Sequence, residues 1–143
     1  MSTAEALSSR FDRSASTVGL ALVDLVLIMA FFVLGELQHG GTAAIPRAPT
    51  AAAPFLLGWV VSTVVLGLYG PPWRESLQDA AVRTAGAWTG AVAIGQLLRD
   101  TSFLPGTADP AFILVSLVVG MVLLVPWRLV AFRLDLAGAE RQP

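Results

Sequence analysis

The chain has 143 residues, of which 55% are hydrophobic and only 13% charged; the formal net charge is −1 and the mean hydropathy +0.72. A soluble domain this small has too much surface to hide so much apolar material, and the same composition excludes disorder. Near-neutral charge excludes a nucleic-acid binder. With no cysteine and a single histidine, His39, disulfides, thiolate catalysis and multi-histidine metal or haem centres within one chain are excluded as well.

These numbers predict an all-α integral membrane protein, a bundle of four transmembrane helices. A tail of residues 1–17 precedes apolar segments at about 18–37, 54–69, 80–98 and 111–132, and residues 133–143 form a second tail. About 20 helical residues cross a hydrocarbon core of about 30 Å. The second segment is short, which calls for a locally thin bilayer or snorkelling flanks. The third and fourth reach full length with Arg83 and Arg128 at the interface. Helix is the reading because backbone in lipid must bond within its own segment, and the alternation of barrel strands is absent.

Turn chemistry separates the segments at His39-Gly40-Gly41, Pro71-Pro72 and Pro105-Gly106. The alanine- and proline-rich stretch from Thr42 to Pro54 reads as an irregular external connection. Pro126 is expected to kink the fourth helix or end its regular part. The first apolar run, about 20 residues long and carrying Asp24, exceeds the 7–15 of a signal-peptide core, so it reads as retained.

All nine basic residues are arginines. Four spans place Arg10, Arg13, Arg74, Arg83, Arg128, Arg133 and Arg141 on one side, and only Arg47 and Arg99 on the other. The excess of positive charge predicts cytoplasmic N- and C-termini in the cell membrane, with Trp73 and Trp127 at the cytoplasmic interface.

Asp24 is the residue with the most to say. A carboxylate near the centre of a membrane helix costs about 2.5–3.5 kcal/mol, so it faces the bundle interior and has a partner or a proton. Helical geometry puts Asp24, Phe31, Gly35 and Gln38 on one stripe. Two readings follow: a proton- or cation-coupled carboxylate, or a structural one paired with Arg83 or Arg128. His39 stands at the external mouth, where it either relays protons or simply ends the helix. Thr89 and Gln96 share a stripe of the third segment; with Asp24, Gln38 and His39 they are the candidates for a coupling or buried polar site, although packing is the simpler reading for Gln96. Gly86 and Gly90 form a small-xxx-small pair that lets two helices approach closely. No residue is assigned as catalytic, and no metal site or cofactor is expected, since no phosphate loop, nucleophile elbow or metal-ligand spacing is present.

The pattern resembles a family of four-span bacterial and archaeal membrane proteins, domain-of-unknown-function family 3054. The marks are Asp24, Phe31 or Phe32, Gly35 and His39 in the first segment, Pro54, Phe55 and Trp59 in the second, Arg83, Trp88 and Arg99 in the third, and Trp127-Arg128 in the fourth. The family's often basic position after Gly35 is Glu36 here, which weakens an Arg-His site at the outer mouth. The resemblance implies fold and membrane location; the family has no established activity.

Two functions remain in play, and neither is an enzyme's, because the clustered acid, base or metal ligands of a membrane enzyme are missing. One is a small transporter or channel with Asp24 as the coupling or selectivity group. The bundle's small interior would then call for a second copy, a homodimer. The other is a non-catalytic scaffold or accessory subunit in which Asp24 is structural. The lipid bilayer is a partner in both.

Overall fold

The computed structural model describes residues 2–8, 14–70, 76–104 and 106–140, the last five by backbone alone. Among these residues there is no strand. A short helix α1 (Thr3–Ser8) is followed by four long helices: α2 (Ala15–Gly40), α3 (Ala48–Leu66), α4 (Leu77–Arg99) and α5 (Pro110–Glu140), with a 3₁₀ helix (Thr42–Arg47) between α2 and α3. The expected turn and interface residues Arg10, Arg13, Pro71, Pro72, Trp73, Arg74, Pro105 and Arg141 lie outside the described residues.

Each helix start has a local cause. In α1, Ser2 and Glu5 cap each other: the Ser2 backbone N–H donates to Glu5 Oε2 at 2.6 Å and the Glu5 N–H to Ser2 Oγ at 3.2 Å. Ser14 caps α2 by accepting from the Thr17 N–H at 3.3 Å, and Ser76 caps α4 by accepting from the Asp79 N–H at 2.9 Å. Asp109 Oδ1 accepts from the Ala111 N–H at the start of α5.

The stretch from Thr42 to Pro54 is helical, not an irregular connection. Its prolines fall where a helix tolerates them. One is within the 3₁₀ turn and Pro49 is at the start of α3, where no intrahelical donor is needed. Pro54 lies inside α3, as membrane helices allow when neighbours satisfy the freed carbonyl. The alanines are not linker residues. Ala48, Ala52, Phe55, Trp59 and Ser62 form the buried face of α3 at helical spacing.

The second segment also stops earlier than its apolar run. Gly67, at φ +62°, ends α3: its N–H reaches the Val64 carbonyl at 3.3 Å and the Leu68 N–H the Thr63 carbonyl at 3.0 Å. Only glycine takes this left-handed turn without strain. Leu68 and Tyr69 are consequently folded inward and buried. At the other extreme α5 passes through Pro126 without ending and continues to Glu140, so residues 133–140 are helical.

Three segments are long and apolar enough to cross a membrane: Ala15–Gly40, Thr42–Leu66 and Pro110–Asp135. The least apolar long helix, α4, packs along α3 most extensively and along α5 next. Its buried stripe is Ala80, Thr84, Ala87, Trp88, Ala91, Val92, Gly95 and Gln96, mostly small residues that let backbones approach. A Cβ on Gly58 of α3 would stand 2.7 Å from the Ala91 carbonyl, and one on Gly95 2.7 Å from the Phe55 ring. Trp88 is wedged against α5, where it donates to the Ser116 carbonyl at 2.8 Å and leaves no room for a side chain at Gly120.

The core is apolar, with Phe55, Trp59, Trp88 and Leu124 buried, but so is much of the outer surface. Val26 and Val122 are 64% and 65% exposed, while Asp24 and Arg128 are fully buried. Such a surface is suited to lipid. Gly58→Ala should lower stability by about 1–3 kcal/mol through overpacking of α3 on α4. Gly19→Ala, with nothing within 4 Å, should cost nothing; thermal unfolding in detergent, followed by tryptophan fluorescence, compares the two.

Candidate functional site

Among the described residues two charges are fully buried, one on α2 and one on α5. Asp24 belongs to the inward stripe of α2, with Thr17, Leu20, Ile28 and Phe31. Arg128 is one turn beyond Leu124 on the inward side of α5. Their side chains meet: Arg128 Nη2 donates to Asp24 Oδ2 at 2.6 Å, with both side chains at 0% exposure. In hydrocarbon each charge alone would be costly, and pairing makes both tenable.

Two further side chains complete the group. Tyr69, turned inward just after α3, donates its hydroxyl to the same Asp24 Oδ2 at 2.7 Å. Trp59 on α3 donates its indole N–H to the Tyr69 hydroxyl at 3.0 Å. The Arg128 guanidinium also lies over the Tyr69 ring, 5.6 Å from its centre, a favourable cation–π placement. The cluster thus ties α2, α3, the turn after α3 and α5 together.

The other sequence candidates are not part of this cluster. Arg83 does not pair with Asp24; its Nη1 donates to the Leu66 carbonyl at 2.5 Å, satisfying an open backbone acceptor at the end of α3. Gln38 and His39 are exposed in the last turn of α2, about 21 Å along the helix from Asp24. Gln38 is therefore not on the buried part of the stripe. His39 Nδ1 donates to the Gly35 carbonyl of its own helix at 2.8 Å. Thr89 is exposed and its hydroxyl donates to the Ala85 carbonyl. Gln96 is buried on α4 beside an apolar cleft with Val92, Ala93 and Ile113. Among the described residues, none of these side chains hydrogen-bonds to Asp24, Tyr69, Trp59 or Arg128. Gly86 and Gly90 face α3, against Leu66 and Ser62 respectively.

Sequence reasoning missed Tyr69 and Trp59 as members of the site. The available signal was thin: Tyr69 is the one tyrosine in the chain, placed directly after a Gly-Leu that can stop a helix.

The family described as "Protein of unknown function (DUF3054)" matches residues 21–131. The chain belongs to this family. Asp24, Trp59, Tyr69 and Arg128 all fall within the DUF3054 region. No curated protein and no solved structure matches the chain.

In this DUF3054 chain the arrangement holds a charge pair rather than exposing a reactive group. Arg128→Met should destabilise the bundle by about 3–5 kcal/mol, because it strands a buried carboxylate. The Asp24→Leu, Arg128→Met double variant should recover much of that loss. A double-mutant cycle on unfolding in mixed micelles measures the difference. Tyr69→Phe, which removes the second donor to Asp24, should cost about 1–3 kcal/mol in the same assay.

Proposed function

We propose that the chain spans the cell membrane four times with cytoplasmic termini and serves as a non-enzymatic scaffold or accessory subunit, with Asp24 in a structural role. The observation that carries this reading is the sealed pair: Asp24 Oδ2 is taken by both Arg128 and Tyr69, and neither charged side chain is open to solvent. A coupling carboxylate must meet its ion or proton in a wet space; this one meets a guanidinium.

The fourth span is α4. Its 23 residues extend about 34 Å, enough to cross the hydrocarbon. It lies between two helices that are themselves long and apolar enough to do so. Its lower hydropathy reflects small and polar residues covered by those neighbours. The arginine distribution along the sequence supports the orientation: with four spans, Arg10, Arg13, Arg74, Arg83, Arg133 and Arg141 fall on one side and only Arg47 and Arg99 on the other.

Cysteines introduced at Thr42 and Gln78 should react with a membrane-impermeant maleimide from opposite faces of intact membranes. Labelling from one face would remove the four-span arrangement. Asp24→Asn should insert, lose thermal stability and leave proton and cation flux in proteoliposomes at the wild-type level. A folded Asp24→Asn protein that loses a flux present in the wild type would reinstate the coupling role.

A further inference from the structure

The end of the bundle remote from Asp24 is built differently. There the last turns of α2 and α4 and the first turns of α3 and α5 surround a cavity of about 220 Å³. Phe31, Phe32 and Phe112 supply its apolar wall, and Arg99, Glu36 and His39 its polar groups. The rings are packed on one another: Phe31 lies edge-on to Phe32 at 4.9 Å and stacked on Phe112 at 6.3 Å between centroids. This volume is below the roughly 300–1,000 Å³ of pockets for drug-sized ligands. It suits a single ring or a short length of chain.

The polar groups are not equivalent. Glu36 is engaged by Arg47 of the 3₁₀ helix at 3.2 Å. His39 has its Nδ1 committed to the Gly35 carbonyl, so Nε2 is the nitrogen left for a ligand. Asp109 acts on Arg99 electrostatically, but it is exposed and its Oδ1 caps the Ala111 N–H. Arg99 itself is held in place by the Phe112 ring and the nearby backbone. Its guanidinium lies 4.5 Å from the centre of the Phe112 ring. Gly106, at φ +113°, lies so close that a Cβ there would stand 2.6 Å from Arg99 Nε. Its Nη1 is buried and has no hydrogen-bond partner among the described residues. A buried donor left unmade in this way is costly, and a guanidinium is the side chain best matched to carboxylate and phosphate oxygens.

We propose that this cavity binds an anionic headgroup, carboxylate or phosphate, on a small apolar body: Arg99 takes the anion and the three phenylalanines take the apolar part. The ligand can be a water-soluble acid or an anionic lipid whose headgroup enters from the membrane edge. This goes beyond the scaffold reading and does not rest on it, since Asp24 and Arg128 are at the other end of the bundle.

The test uses the full chain in phosphatidylcholine nanodiscs, with radiolabelled benzoate in equilibrium dialysis and benzamide as the neutral analogue. Benzoate should bind saturably, and benzamide at least about tenfold more weakly. Arg99→Gln should weaken benzoate by about tenfold or more. Ala51→Leu, which fills the cavity wall without altering charge, should block it. Arg133→Gln, exposed at the other end, should bind as the wild type does. In parallel, nanodiscs containing phosphatidic acid are analysed by native mass spectrometry. Phosphatidic acid retained by the wild type and lost from Arg99→Gln identifies a lipid ligand. Benzoate binding undiminished by phosphatidic acid identifies a soluble one. Absence of saturable binding of both probes would overturn the proposal, as would equal binding by the wild type and folded Arg99→Gln or Ala51→Leu.

Discussion

A carboxylate and a guanidinium placed separately in hydrocarbon are each unfavourable enough to oppose insertion, whereas together, with their hydrogen bonds made, they can be buried. Asp24 and Arg128 are 104 residues apart in the chain and 2.6 Å apart in space. That contact constrains much else. It sets the rotation of α2 and α5 so that both charges face inward, and leaves their valines and leucines to the lipid. It also gives Tyr69 a reason to be buried, and through Tyr69 it secures Trp59 and α3. The net stabilisation from such a pair is modest, because desolvation offsets much of the attraction. Its strength as a constraint lies in what happens when either partner is missing.

The rest of the bundle is held by shape. Lipid tails are as apolar as leucine, so burying leucine between helices provides little drive inside a membrane. Close approach of backbones matters more. This explains why α4, the least apolar of the long helices, is packed between α3 and α5. Gly58 of α3 and Gly90, Ala91 and Gly95 of α4 admit the close approach of those two helices, and Gly120 admits the Trp88 ring. The helix whose composition looks least suited to lipid is the one best shielded from it.

The two ends of the molecule differ in consequence. Around Asp24, α2, α3, the turn after α3 and α5 contribute to one tight polar knot. At the other end the same helices are separated by aromatic rings and a cavity, beside an arginine whose Nη1 has no hydrogen-bond partner among the described residues. A structural role for the first end and a binding role for the second are compatible, because rigidity at one end fixes the geometry at the other. Membership of DUF3054 places the chain in a family without assigning either role.

The sequence by itself determined the class and much of the plan. Low charge and long apolar runs specify a helical bundle whose outer face is suited to lipid, since backbone in hydrocarbon must satisfy its own hydrogen bonds. Intolerance of lone charges singled out Asp24 and reduced its partner to Arg83 or Arg128. Alanine and proline between Thr42 and Pro54 were ambiguous, because the same residues suit a loop or the first turns of a helix. Only the tertiary structure decided the rest. Choosing Arg128 over Arg83 depends on how α4 and α5 are rotated about their axes, and Arg83 is drawn to the open carbonyl of Leu66. Tyr69 reaches the site because the left-handed turn at Gly67 aims it inward. Rotation and turn direction arise from contacts between segments distant in the chain, which spacing along any one segment does not encode.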